Sequence, residues 1–303
     1  MRIRVSNQVR IAMIFLVLAV LLGAWIAPKI KERFWKTNEP NKSKQTPRGD
    51  SQNSSAPNSN EDAEKIYLAL GNPSNADTNP NNYLLINGYF VLSYNRAKAI
   101  PNWVSWRISR SELGQLPRPN PDPFRPDDRL PKEWKRAVPS DYTGSGFDKG
   151  HLCPSADRSA SNEAMTATFL MTNMVPQTPD LNREVWQRLE SYLRTLVTRG
   201  SDVYIIAGTY GDKGKLKNKV TVPTNNWKIA VVVPAGAGVS AIDENTRVIA
   251  VDMPNVDGIK NNDWQLFRTT VREIEKKTGY NFLSELPQNL QDTLENKKDN
   301  INN

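Results

Sequence analysis

Two residue types are so scarce in this chain that they restrict it more than anything else does. Its 303 residues contain one histidine and one cysteine, His151 and Cys153, two positions apart. One cysteine excludes an intrachain disulfide framework and a cysteine-rich zinc site. One histidine excludes any centre that takes two imidazoles. Three-histidine zinc sites, His–Cys zinc fingers, c-type haem attachment and disulfide scaffolds are therefore ruled out. The length allows one large domain or two small ones.

Hydropathy divides the chain into unequal parts. Residues 1–10 carry three arginines and no acid, and Ile11–Pro28 is an uncharged run of 18 residues followed by KIKERFWK. A positive head and an apolar run mark an export signal or a membrane anchor. As a helix the run reaches about 27 Å, just enough for a hydrocarbon core of roughly 30 Å. Leu22 stands two before Ala24 and Trp25 two before Ala27, so neither alanine ends a clean A-x-A cleavage site. Residues 1–36 are thus a signal anchor or a signal peptide with basic flanks. Either reading exports the rest of the chain, to be membrane-anchored, periplasmic or secreted. Residues 37–61 contain no Leu, Ile, Val or aromatic residue; such a stretch cannot offset its ordering entropy and reads as a disordered linker. That leaves a domain over 62–290 and a polar tail over 291–303. The net charge of +8 sits mainly in the leader and linker. Residues 1–61 hold ten Lys/Arg against four Asp/Glu, the remainder 30 against 28. Phosphate binding by the domain must therefore be argued from particular residues.

Within the domain, Tyr83–Tyr94 holds Asn87-Gly88 between apolar runs and predicts a hairpin. Pro101–Ile108, Val203–Gly208, Trp227–Val233 and Arg247–Met253 read as strands, and Arg110–Pro139, rich in Pro, Asp and Arg, as a long loop. Apolar residues recur at helical spacing over Asn182–Arg199, ended by Gly200, and over Asp263–Lys277, stopped at Gly279. Strands that mostly do not alternate with helices predict an α+β fold, with a largely antiparallel central sheet flanked by helices.

The stretch Gly144–Arg158, GSGFDKGHLCPSADR, concentrates chemistry-bearing residues. Gly144, Gly146 and Gly150 allow sharp turns or close approach of the backbone to a ligand. His151 titrates near neutrality when unperturbed and can accept a proton from water; Asp148 and Asp157 are both near enough in sequence to orient it. Asn182, at the start of a predicted helix, reads either as its N-cap or as an oxygen ligand for a hard divalent cation. Glu190 is eight residues on, about 80° around a regular helix, and reads as a solvated carboxylate or a partner in the same site. Asn173, in a Pro-flanked loop, is by default a turn residue.

GFDKGHLCPSADR followed by TNMVPQTPDLNREVWQRLE resembles the DNA/RNA non-specific endonuclease family, sugar-nonspecific nucleases with a ββα-metal (His-Me finger) active-site element. The resemblance extends from about Tyr83 to Leu290 through NWVSW, FRPD, YTGSG, TVPTNNWK and NNDW…VREIEKKTGY, and is closest to secreted bacterial members, cyanobacterial ones in particular. It implies that His151 is the general base and that Asn182 is the sole direct protein ligand of Mg²⁺, or of Mn²⁺ in its place. Glu190 is implied to hold water in the cation's shell, and Asn173 to order the site. Arg118 or Arg125 is implied to stabilise the transition state, Arg118 by the closer alignment. Lys149 takes the place of the family's usual arginine before Gly-His, exchanging a bidentate donor for a point charge at a substrate-binding position. Arg194, one turn after Glu190, is a further phosphate candidate.

The activity so implied is hydrolysis of phosphodiester bonds in DNA and RNA to 5′-phosphate and 3′-hydroxyl ends, without base reading. Expected partners are DNA and RNA, the membrane if the leader stays uncleaved, and a proteinaceous inhibitor as a further candidate. Two competing readings follow from single features. Lys149 points to an envelope-tethered nucleic-acid-binding protein with a degenerate nuclease site. Cys153 beside His151 points to a thiol hydrolase.

Overall fold

The computed structural model describes residues 59–301. The leader, and the linker as far as residue 58, lie outside the described residues, and with them the choice between anchor and cleaved signal. In chain order the strands are β1 (Tyr83–Asn87), β2 (Phe90–Asn95), β3 (Ile100–Ile108), β4 (Asp148–His151), β5 (Met174–Gln177), β6 (Ser201–Tyr210), β7 (Lys215–Leu216), β8 (Val220–Thr221), β9 (Asn225–Pro234), β10 (Arg247–Pro254) and β11 (Arg268–Thr269). Among the described residues the largest sheet has the order β1-β2-β3-β6-β9-β10-β11, antiparallel at every pairing. The expected α+β fold and antiparallel sheet are therefore present.

Central strands β3, β6 and β9 are buried almost throughout, so both faces of the sheet are covered. Adjacent residues of a strand point to opposite faces, and β3 identifies what covers each. Ser105 donates to Tyr67 O at the end of helix Asn60–Tyr67. Trp106 points the other way, where its indole N–H donates to Asp157 and its ring lies 5.5 Å from Lys228 Nζ. The second face carries the candidate site.

The structure shifts several sequence-based boundaries. The hairpin register pairs Asn87 with Phe90, so the turn is Gly88-Tyr89. Asn87 ends the strand, and its side-chain oxygen accepts the Tyr89 N–H at 3.2 Å. It acts as an Asx-turn acceptor, not as a left-handed turn residue. The helix expected over Asp263–Lys277 is broken into a 3-10 turn, Trp264–Phe267, the edge strand β11, and a helix over Val271–Thr278 only. The interruption combines a local cap with a distant strand edge. Thr270 caps the later helix by accepting the Glu273 N–H at 3.1 Å, and Arg268 and Thr269 pair with β10. Gly279 ends this helix in the left-handed region, at φ 73°, as the sequence predicts.

The described helices extend past 62–290 at both ends. Its first helix starts at Asn60, with Ser59 accepting the Asp62 N–H at 3.1 Å. Helix Gln288–Asn296 continues past Leu290, with Leu294 and Glu295 fully buried. Glu295 pairs with Arg272 at 2.5 Å, and Asp299 with Arg247 at 2.9 Å. The burial of this polar tail depends on arginines far away in sequence. Deleting residues 291–303 removes the Leu294 side chain, leaves Arg247 without its carboxylate and leaves Arg272 with Glu275 alone. We expect the unfolding free energy to fall by about 4 kcal/mol, read as a lower urea midpoint; an unchanged midpoint would make the tail dispensable.

Candidate active site

β4 and β5 form a separate two-stranded antiparallel sheet that pairs His151 with Met174 and Gly150 with Val175. Gly150 serves close packing: a Cβ there would lie 2.1 Å from the buried Gln177 side chain. Gly144 and Gly146 are turn residues, at φ 70° and 80°. After β5, Thr178 begins the next element, its carbonyl accepting the Asn182 N–H at 2.9 Å and its hydroxyl the Leu181 N–H at 3.4 Å. Pro179 follows at the first helical position, where proline is pre-set for the helix. Thr178, not Asn182, is therefore the cap, and the N-cap reading of Asn182 falls.

Leu181–Trp186 is a π turn that runs directly into the α-helix Gln187–Thr198. This gives the ββα order that the resemblance implied. A π turn absorbs one extra residue, so Asn182 and Glu190 end about 20° apart around the helix instead of about 80°. Both line one cleft of 540 Å³ with His151, Lys149, Arg118 and Arg194.

His151 closes that cleft at the end of β4. The Phe169 ring meets it edge-on, centroids 4.9 Å apart, and Phe124 packs at 5.6 Å. Only 8% of the residue is exposed, and Nε2 has no hydrogen-bond partner. Burial pushes the imidazole pKa down to about 3, with Arg118 acting in the same direction and Asp122 opposing. The ring is a neutral base at pH 7. Neither neighbouring carboxylate bonds to it. Asp148 accepts from Arg183 and Asn182, and Asp157 from Trp106 and Arg194. Sequence proximity misplaced both, because β4 turns the Asp148 side chain toward the helix and the turn after Pro154 carries Asp157 to the sheet.

Asp148 also fixes the Asn182 amide. A carboxylate accepts but cannot donate, so the NH₂ end faces it, at 2.9 Å. The amide oxygen is left without a hydrogen bond among the described residues. Burial pushes the Asp148 carboxyl up, but hydrogen bonds from Arg183 and Asn182 outweigh it and hold its pKa below the usual range.

Glu190, 9% exposed, is paired with the buried Lys228 at 3.4 Å. Lys228 Nζ also lies 4.2 Å from the Trp186 ring centroid, a cation–π seat. Burial raises the pKa of Glu190 and lowers that of Lys228, and each group's charge opposes the other's shift. Lys228 thus keeps a buried carboxylate available to the cleft. Lys228→Met is expected to lower kcat about tenfold and, combined with Glu190→Gln, to add nothing to the loss from Glu190→Gln alone; additive losses would separate the two residues.

Of the two candidate arginines, Arg118 lines the cleft, held in a bidentate pair by Asp122 at 2.7 Å to each oxygen. Arg125 does not line it; its guanidinium donates to Thr166 O at 2.7 Å, and its backbone pairs with Phe169 and Met171. Lys149 Nζ lies 4.8 Å from the Phe124 ring centroid. Asn173 is fully buried away from the cleft. It accepts the Cys153 N–H at 3.0 Å and donates to Cys153 O and Thr168 O, both at 2.8 Å, which fixes the chain just after His151. Cys153 is fully buried, and burial pushes its thiol pKa far up. This removes the thiol-hydrolase reading.

The sequence reading missed Asp122, Arg183, Gln187 and Lys228. Three of these line the cleft and the fourth holds Glu190. Asp122, Arg183 and Gln187 carried a signal, each lying within five residues of a residue already singled out. Among the described residues no three of His, Cys, Asp and Glu cluster as a metal site. The donors present are an amide oxygen and a carboxylate, a set that fits a hard, largely hydrated divalent cation better than zinc.

Residues 71–289 match the sequence model of the family described as DNA/RNA non-specific endonuclease. The chain is 51% identical over 240 residues to a nuclease of Nostoc sp., covering 78% of this chain and 86% of that one. It is 34% identical over 209 residues to human mitochondrial endonuclease G, covering 64% and 67% respectively. It also matches a chain in the crystal structure of the EndoG/EndoGI complex, with a TM-score of 0.66 and 23% identity, over 80% of this chain and 99% of that one; this likeness is one of fold.

Proposed function

The chain belongs to the DNA/RNA non-specific endonuclease family, and from that premise we propose that it hydrolyses phosphodiesters of DNA and RNA with His151 as general base and Asn182 as the protein ligand of one Mg²⁺ or Mn²⁺. The observation that carries this reading is the neutral, unpartnered imidazole in the same cleft as a free amide oxygen.

The His151 imidazole takes the proton from a water aligned opposite the leaving 3′-oxygen. A phosphodiester drawn into the cleft puts negative charge beside the ring and moves its pKa upward, as Asp122 already does in part. The Asn182 amide oxygen would hold the cation, which when bound supplies charge neutralisation at the scissile phosphate. Glu190 accepts hydrogen bonds from water in the cleft. Arg118, its fork held by Asp122, supplies positive charge as the transition state develops. Lys149 and Arg194 add charge that draws phosphate without reading bases. The leaving 3′-oxygen takes its proton from a second water in the cleft, so the products carry 5′-phosphate and 3′-hydroxyl ends.

Export of the domain is proposed from the Ile11–Pro28 run alone, and a proteinaceous inhibitor is proposed as a partner for the cleft. The test of the function is incubation of the protein with plasmid DNA and with RNA, in Mg²⁺ and in EDTA. We expect both substrates to be degraded in Mg²⁺ and neither in EDTA. Binding without cutting at any divalent metal would instead establish the degenerate-site reading.

A further inference from the structure

Beside the catalytic cleft lies a second concavity of 490 Å³. Arg118, Ser155, Ala156 and Arg194 line both, so the two concavities are adjacent and a strand held in one can reach the other. The lining of the second groove includes three arginines and no acid: Arg118, Arg194 and, at its far side, Arg110. Arg118 and Arg194 are braced by Asp122 and Asp157. Arg110 is exposed, and the hydrogen bond it makes, to Leu113 O, is long at 3.5 Å. Between the arginines Leu113 and Leu116 give an apolar surface backed by the buried Met165, and Gln115 and Thr198 also line the groove.

Among the polar groups of this floor, Ser159 is already satisfied. Ser159 accepts the Gly114 N–H at 3.0 Å and donates to Gly114 O and Ala156 O. Gly114 lies so close that a Cβ would be 2.4 Å from Ser159 O. A base resting there meets an apolar surface whose exposed uncharged polar neighbours are Thr198, already bonded to Thr195 O, and the Gln115 amide. The volume falls in the range of sites for small organic groups.

We propose that this groove is a substrate subsite that takes one nucleotide of the strand beyond the scissile phosphate, with that nucleotide's phosphate at Arg110 and its base on Leu113, Leu116 and Met165. The proposal rests on the reading of the neighbouring cleft as the hydrolytic site. Cationic edges and an apolar floor give affinity that tolerates any sequence.

The test compares a dinucleotide with trinucleotides extended on the 5′ side or on the 3′ side, measuring kcat/KM for cleavage of the shared linkage in Mg²⁺. Extension on one side only is expected to raise kcat/KM about tenfold. Arg110→Glu and Leu116→Asp should each remove that gain and leave dinucleotide cleavage unchanged. Binding of a 12-residue single strand to the His151→Ala protein gives a readout free of chemistry. There Arg110→Ala should lower the slope of log affinity against log salt by about one. Equal rates for all lengths in the wild type, or a gain that survives both groove variants, would overturn the subsite while leaving the cleft intact. A wild-type protein that cuts no nucleic acid would overturn the cleft reading, and the subsite with it.

Discussion

His151→Ala is expected to lower kcat by about three orders of magnitude on both DNA and RNA, with a folded protein retained. The size of the effect follows from the absence of a substitute. The other carboxylates of the cleft are engaged: Asp122 by Arg118, Asp148 by Arg183 and Asn182, and Glu190 by Lys228. None is placed as a free base at neutral pH. The same variant carries a second signature, in stability. Burial lowers the folded pKa of His151 to about 3 from 6.5, so the unfolded chain binds a proton that the folded chain excludes. His151 therefore contributes stability that is fully present above about pH 6.5 and is lost as pH falls toward 3. The alanine variant lacks this loss. Its melting temperature relative to wild type should rise as pH is lowered through that window; a difference that stays constant with pH would place the imidazole in solvent. Cleavage within a few-fold of wild type would remove His151 from the chemistry.

Asn182→Ala is expected to raise the Mg²⁺ concentration for half-maximal activity by one to two orders of magnitude, and to weaken Mn²⁺ binding measured by calorimetry to a similar degree. The amide oxygen is the group lost. Asp148 also loses a donor, but the Arg183 fork, at 2.7 and 2.8 Å, holds its carboxylate in place, so the fold should survive. Unchanged metal affinity would mean that the cation, if bound, takes its protein ligand elsewhere.

The sheet was largely legible from the sequence because its central strands are apolar runs bounded by turn residues, as at Val203–Gly208 and Trp227–Val233. What stayed illegible depended on partners distant in sequence. The break at Thr270 needs a strand edge to pair with, and the burial of Glu295 and Asp299 needs Arg272 and Arg247. At the site, His151 and Asn182 were legible as scarce or unusually placed residues. The nearness of Asn182 to Glu190 was not, because regular helix geometry separates them and no sequence pattern announces a π turn. Lys228 was quoted within a motif without a role, since a buried lysine is recognisable only once its carboxylate and two indole rings surround it. Asp148 and Asp157 were read as partners of the nearest histidine, whereas each is held by an arginine on the following helix.

The account comes down to one spatial claim, that His151 and Asn182 serve the same cation and the same phosphate. The most direct measurement is an anomalous-difference map from crystals of the His151→Ala protein soaked with Mn²⁺ and a short oligonucleotide. We predict one strong peak at the Asn182 amide oxygen, with a phosphate between it and the vacated imidazole position. A peak held by other residues, with the phosphate away from residue 151, would contradict the account.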